Sequence, residues 1–283
     1  MYNATSLRPF RSEAEAASPM PSTVRLVVPC WNEAARFDVG AFRAALEADP
    51  ALSLTLVDDG SSDGTRDVLE AFARELPARV DVVTLDANQG KGEAVRAGLR
   101  TAVAHAPTFT GWWDADLATP LSAVRGLVAA LEGARGAWLA MGSRVATIGA
   151  RIERRATRHY AGRLIATLIS RTLRLATYDT QCGAKVFRVA TTPAGLLDEP
   201  FVSRWLFDVE VLARLERRHR DGAGAPPEDL VVEVPLARWT DVPGSKVRAT
   251  DFVRAVFALR RIRRLHRLGR RRATGPGPRG RGS

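Results

Sequence analysis

The chain reads as an α/β protein with a mostly parallel central sheet flanked by helices. Two observations predict this class. Short apolar runs alternate with helical-period runs from residue 24 to 141, the pattern of a parallel sheet covered by crossover helices. Polar residues also mark the ends of the apolar runs, at Pro29, Asp58, Asp86 and Asp114, where open α/β sheets bind ligands. With 283 residues and 46% apolar composition, the chain can bury one large core.

The elements follow in order. Residues 24–29 form a buried strand stopped by Pro29, followed by a helix over 38–48. Residues 52–57 form a second strand, and a helix over 65–76 places Val68, Leu69 and Phe72 at helical spacing. A strand over 80–85, a helix over 93–105 and an aromatic strand over 109–113 come next. A helix over 121–132 and a strand over 137–141 complete the alternation. Residues 23–250 are expected to form one domain, with 1–22 and 273–283 as disordered ends rich in Ala, Ser and Pro or in Gly, Pro and Arg.

Charge is concentrated. The chain carries a formal +11, and residues 251–283 alone hold eleven Arg and one Asp. A second basic stretch, 144–174, holds eight Arg and one Glu. Over 151–175 and 251–272, arginines interleave with apolar residues such as Leu164, Ile165, Leu168, Phe257, Leu259 and Leu265. Both stretches read as basic amphipathic helices suited to an anionic membrane surface. A nucleic-acid partner is the rival for such charge, but the apolar periodicity opposes it, and no specific nucleic acid is expected. No apolar run reaches the length of a membrane span, and residues 1–22 lack the apolar stretch of a signal peptide. Cys30 and Cys182 are far apart and form neither a disulfide scaffold nor a metal-type spacing, which fits a cytoplasmic protein.

The sharpest chemical feature is Asp114-Ala115-Asp116. Two carboxylates on one side of a strand end repel unless a cation lies between them. Mg²⁺ or Mn²⁺ would resolve the conflict, since both prefer hard oxygen ligands and are often shared with substrate phosphates. The bland alternative is a surface turn that caps the next helix. The turn 58–65 (DDGSSDGT) carries acids beyond those needed to cap a helix, and a carboxylate there can accept hydrogen bonds from a base or ribose. Residues 88–92 (NQGKG) open the third helix with glycines and Lys91, an arrangement that admits an anion or makes a plain turn. Arg144 follows the fifth strand and is suited to phosphate, or stands as a solvated loop residue. Asp179, Gln181, Gly183 and Lys185 cluster before an apolar turn, and Asp208 and Glu210 begin a helix whose dipole they complement. Arg238, Trp239 and Lys246 lie in a polar loop able to close over a ligand.

Together these strings resemble the GT-A family 2 glycosyltransferases of the dolichyl- or polyprenyl-phosphate sugar synthase type. The strings are VVPCWNE (27–33), VDDGSSDGT (57–65), NQGKGEAVRAG (88–98), WDADLATP (113–120), GSR (142–144), DTQCGAK (179–185), FDVEVL (207–212) and GSK (244–246). The nearest likeness is to the dolichyl-phosphate β-glucosyltransferase branch and its bacterial relatives, over residues 24–250. The resemblance implies a GT-A fold with a Rossmann-like nucleotide-binding half. It also implies an inverting transfer of sugar from a nucleotide sugar to a polyprenyl phosphate, at the inner face of the membrane. UDP-glucose is favoured over GDP-mannose. Pro29, Trp31, Glu33, Asp58 and Lys91 would line the nucleotide side, and Asp114 and Asp116 would hold Mg²⁺ or Mn²⁺ on the diphosphate. Arg144 and Arg158 would take the acceptor phosphate, with Gln181, Gly183 and Lys185 beside it, and Lys246 would sit on a closing loop. A hydroxyl or thiol acceptor would instead need a general base, for which Asp179, Asp208 and Glu210 are candidates and Asp208 ranks first.

Overall fold

The computed structural model describes residues 22–153, 156–242 and 249–268, with the side chains of 156–164 and 249–253 outside that description. The expected disordered ends, 1–22 and 273–283, therefore lie outside the described residues except for Ser22, as do residues 269–272 of the expected basic helix and Lys246.

Nine strands and eight α-helices appear among the described residues. The strands β1 (Val24–Cys30), β2 (Leu52–Asp58), β3 (Val80–Thr84) and β4 (Phe109–Trp112) are mutually parallel. They alternate with α1 (Val39–Ala48), α2 (Thr65–Glu75) and α3 (Lys91–Ala104). A short 3-10 turn, Leu121–Ala123, leads into α4 (Val124–Gly133), followed by β5 (Leu139–Ser143). The later elements are β6 (Arg151–Glu153), α5 (Ala156–Leu173), β7 (Lys185–Arg188), α6 (Phe207–Arg220), α7 (Pro227–Leu230), β8 (Val231–Pro235), β9 (Arg238–Thr240) and α8 (Ala249–Leu265).

The main sheet has seven strands in the order β3-β2-β1-β4-β7-β5-β8. Only β7 runs antiparallel to its neighbours. The mostly parallel α/β expectation is thus met. Side chains divide the core by strand parity. Leu26 and Val28 join Phe42, Leu69 and Leu127, from α1, α2 and α4. Val27 and Val57 face the opposite way, toward Val95, Ile169, Leu212 and Leu259, from α3, α5, α6 and α8. Local chemistry sets the helix ends. The Asp38 carboxylate accepts the Ala41 N–H (2.9 Å) to cap α1. Helix α6 carries Asp208 and Glu210 in its first turn and Arg217, Arg218 and Arg220 in its last, the order its dipole favours.

Three departures from the sequence reading have physical causes. Residues 151–153, read as the start of a helix, form a strand paired in parallel with β9. Gly149, at φ +88°, turns the chain just before it, and the half-buried Ile152 packs against the core. Residues 185–188, read as an apolar turn, insert as β7 between β4 and β5. The apolar face of 251–272 is largely consumed within the protein: Leu259, Ile262 and Leu268 are buried in the core, while Phe257 and Leu265 remain exposed.

Candidate active site

The parallel strands bring their C-terminal ends to one edge. Cys30 pairs with Asp58, Asp58 with Thr84 and Val27 with Trp112, so three loops converge there. Beyond β1 lie the half-exposed Trp31 and the buried Glu33, whose carboxylate takes two hydrogen bonds from Arg36 (2.9 and 2.6 Å). Asp58 is buried and accepts the Ser61 N–H (3.2 Å).

Its neighbour Asp59, which carries no separate role in the sequence reading, organises the next loop. It accepts the Gln89 N–H (2.7 Å), the Gly90 N–H (2.9 Å) and the Asn88 Nδ2 (3.0 Å). Burial pushes its carboxyl above the ordinary range, and the charge of Asp58 adds to the push against the pull of those amides. Asp59 therefore ties the end of β2 to the start of α3. A run of adjacent acids was its only sequence signal. Gly90, at φ +96°, then delivers Lys91 to the site, where an added Cβ would meet the Arg204 side chain at 2.7 Å.

Lys91 Nζ donates to Asp114 Oδ1, closing a contact between α3 and the end of β4. Burial would lower the lysine, but Asp114, Asp208 and Asp116 outweigh it and hold its pKa above the usual value. The chain turns back on itself at Leu117, whose φ is +52°, and Ala118 N–H donates to Asp116 Oδ1 (3.1 Å). Asp114 is opposed by burial yet held below the usual carboxylate range by Lys91, Lys185 and Arg144. Asp116 is pushed up by burial and by Asp114.

The inserted β7 supplies the second group of cations. Lys185 lies opposite Trp112 in register and is almost fully buried. Its Nζ donates to the Cys182 carbonyl, pairs with Asp208 Oδ1 (2.8 Å) and lies 5.5 Å from the Trp112 ring centre. Trp112 Nε1 donates to the same Asp208 oxygen (3.1 Å). Arg144, past β5, clamps Asp179 through Nε (2.6 Å) and Nη2 (2.7 Å), and its guanidinium lies 5.4 Å from the Trp239 ring centre. Asp179 is held below the usual range against its burial by that clamp, and Arg144 is raised against its own burial by the same pair. Glu210 belongs elsewhere. It is wholly buried, pairs with Arg214 (3.0 Å) and accepts the Val202 N–H (2.9 Å). Gln181 is half-buried and Gly183 buried in the loop before β7, while Asp86 is exposed. The side chain of Arg158 lies outside the described residues.

The Asp114–Asp116 pair suits a divalent metal. Two hard carboxylates crowd one another, and Gly183 leaves the space beside them, since a Cβ there would fall 1.9 Å from Asp114 Oδ2. Among the described residues no cluster of three or more His, Cys, Asp or Glu side chains gathers to hold a metal. A metal here would complete its shell with substrate phosphate and water, as Mg²⁺ commonly does.

The fold and the acid–cation edge match what the sequence reading expects of a glycosyltransferase, and comparison with known proteins shows that class. Residues 26–192 match glycosyl transferase family 2. The chain is 32% identical over 240 residues to dolichyl-phosphate beta-glucosyltransferase of Drosophila melanogaster, covering 78% of this chain and 68% of the relative. It is 29% identical over 168 residues to undecaprenyl-phosphate 4-deoxy-4-formamido-L-arabinose transferase of Shewanella sediminis, covering 58% of this chain and 48% of the relative. Glucosyl-3-phosphoglycerate synthase from Mycobacterium tuberculosis, solved with phosphoglyceric acid, shares the fold at a TM-score of 0.59 and 19% identity, over 86% of this chain and 80% of that one. The same enzyme solved with Mn²⁺ and UDP-glucose gives a TM-score of 0.56 at 20% identity, over 86% and 77%. The chain belongs to glycosyl transferase family 2 and is a glycosyltransferase.

Proposed function

We propose that the chain transfers glucose from UDP-glucose, in preference to mannose from GDP-mannose, to the phosphate of a polyprenyl or dolichyl lipid with inversion. One observation carries the acceptor class: every carboxylate considered as a general base is paired with a cation. Asp179 is paired with Arg144, Asp208 with Lys185 and Glu210 with Arg214. A hydroxyl acceptor needs a base to remove its proton, whereas a phosphate acceptor is already an anion and needs positioning. The two sequence relatives named above carry dolichyl phosphate and undecaprenyl phosphate in their names, which supports the same reading.

In this reading Pro29, Trp31, Glu33 and Asp58 form the nucleoside side, and Lys91 lies beside the diphosphate. Asp114 and Asp116 would hold Mg²⁺ or Mn²⁺, which supplies positive charge to the departing nucleoside diphosphate. Arg144, Gln181 and Gly183 would take the acceptor phosphate; the resemblance gives Arg158 the same role and Lys246 a place over the donor, but the Arg158 side chain and Lys246 lie outside the described residues. Lys185 and Asp208 hold the floor of the site. A phosphate oxygen of the acceptor forms the new bond to the anomeric carbon as the bond to the nucleoside diphosphate breaks, and the leaving group carries away the electron pair. Preset positive charge around that centre lowers the barrier because it need not reorganise. The basic helices would bring the enzyme to the anionic inner leaflet as a peripheral protein; no described helix is long and apolar enough to cross a membrane.

The test is transfer of label from UDP-glucose and GDP-mannose to polyprenyl phosphate, with Mg²⁺, with Mn²⁺ and with EDTA. Metal-dependent label in the lipid phase from UDP-glucose is expected. Metal-dependent donor hydrolysis with no lipid product would move the acceptor to a soluble molecule.

A further inference from the structure

Lys91 reaches Asp114 from a loop that cannot set its own shape. Gly90 precedes it at φ +96° and Gly92 follows it, so the backbone on both sides takes many conformations unless other parts of the protein impose one. Asp59 does so from the end of β2, accepting the Gln89 and Gly90 amides and the Asn88 Nδ2. A second partner reaches the same loop from the segment before α6. Arg204 Nη2 donates to the Asn88 carbonyl (2.9 Å) and to Asn88 Oδ1, while the Arg204 carbonyl accepts the Gly92 N–H (3.0 Å).

The two glycines are where this segment docks. A Cβ on Gly90 would lie 2.7 Å from Arg204 Cβ, and one on Gly92 2.8 Å from Phe207 Cβ. The Phe207 ring centre is in turn 5.9 Å from Lys91 Nζ. The Asn88 side chain joins the two partners, since its Nδ2 donates to Asp59 and its Oδ1 accepts from Arg204. Burial pushes the Asp59 carboxyl up, the Gln89 and Gly90 amides pull it back, and the Arg204 charge pulls the same way. The segment that carries Arg204 is itself anchored. Buried Arg214 donates to the carbonyls of Leu196 (2.8 Å), Glu199 (3.0 Å) and Pro200 (2.9 Å). Glu210, paired with Arg214, accepts the Val202 N–H, and Ser203 Oγ accepts the Leu206 N–H (2.9 Å). With its backbone already ordered, Arg204 gives up little beyond its own side-chain freedom in holding Asn88.

We propose that Arg204 is a positioning residue: through Asn88 it fixes the turn that aims Lys91 at Asp114 and at the donor diphosphate. The inference rests on the reading that Lys91 lies beside that diphosphate. Negative charge grows on the leaving group during transfer, so a misaimed Lys91 costs the transition state more than the bound donor. The inference also gives the buried Glu210–Arg214 pair a part in the site, as the anchor of the segment that carries Arg204.

The test follows nucleoside diphosphate release by the full chain, with Mn²⁺ and polyprenyl phosphate, from whichever of UDP-glucose and GDP-mannose the wild type turns over. The variants are R204A, R204K, N88A, K91M, R204A/N88A and R204A/K91M, each checked for folding by thermal melts. R204A and N88A are each expected to lower kcat about tenfold with the donor KM nearly unchanged, and R204K to recover part of the loss. Because Arg204 acts through Asn88 and Lys91, adding R204A to N88A or to K91M should cost little further. Hydrogen exchange of the Gln89 and Gly90 amides, read without metal or donor, should quicken in R204A and N88A while the amides of β1 exchange as in the wild type. Additive losses, or a raised donor KM in R204A that persists beside K91M, would make Arg204 a direct donor contact and overturn the inference. Unchanged exchange with a lowered kcat would overturn it as well. An unimpaired R204A beside an impaired K91M would sink the inference alone and leave the reading of Lys91 standing. Wild-type kcat in K91M, or turnover of neither donor by the wild type, would remove that reading and the inference with it.

Discussion

The two rims of the site use the same residue type in opposite ways. On the first rim, beyond β2, the acids answer to backbone amides. Asp58 takes the Ser61 N–H, Asp59 those of Gln89 and Gly90, and Asp63 that of Thr65 (2.9 Å). On the second rim the acids answer to side-chain cations: Asp114 to Lys91, Asp179 to Arg144 and Asp208 to Lys185. Amide-held carboxylates fix the shape of a loop. Cation-held carboxylates keep mobile charge in balance at a place where another ion can alter it. The contrast assigns loop-building to the first rim and ion handling to the second, and each assignment can be broken by experiment.

The largest effect is expected at Asp116, the second-rim acid crowded by its neighbour. If Asp116 holds the metal as proposed, Asp116→Asn removes one ligand charge at a cost of about 4 kcal/mol in the transition state, roughly a thousandfold in kcat. The melting temperature should hold, because the variant also relieves repulsion from Asp114. Near wild-type turnover in a verified variant would remove the metal assignment. An effect of similar size, on stability rather than turnover, is expected at Lys185. Its side chain is 1% exposed and that of Asp208 is 6% exposed, so Lys185→Met strands a buried carboxylate and costs about 3–5 kcal/mol in urea unfolding. Adding Asp208→Asn should recover part of that loss. An unchanged midpoint for the single variant would show that the pair does not hold the floor of the site.

The first rim was the more legible from sequence. The strands β1 to β4 were read to within one residue or so at either end, because apolar runs with glycine-rich polar turns after them are local signals. The third helix begins at Lys91 rather than at 93, since the glycines around Lys91 hide the start of a helix in a propensity reading. On the second rim the residues were named but their partners were not. The Lys185–Asp208 pair depends on β7 entering the sheet antiparallel, a pairing across the chain that no short-range pattern announces. The choice among Asp179, Asp208 and Glu210 likewise had no sequence answer. The structure separates Glu210, held by Arg214 and near His266 in another cluster, from the two acids that border the site.

The finest difference between the rims is the order in which their acids take up protons. Asp59, disfavoured by burial, should protonate above the ordinary carboxylate range, and Asp179, held by Arg144 against its burial, below it. The consequences for stability have opposite sign. A depressed folded pKa gives Asp179 a stabilising contribution that is complete above the unfolded value of about 3.9 and is lost as pH falls through the folded value. A raised folded pKa makes ionised Asp59 a cost at neutral pH, and that cost shrinks as pH falls from the folded value to the unfolded one. Asp179→Asn should therefore destabilise the protein at pH 7, with the gap to wild type closing below about pH 4. Carbon-detected NMR of the two carboxyl groups reads the same order directly. If Asp179 titrated above Asp59, the division between amide-held and cation-held acids would fail at the pair where it is most exposed to test.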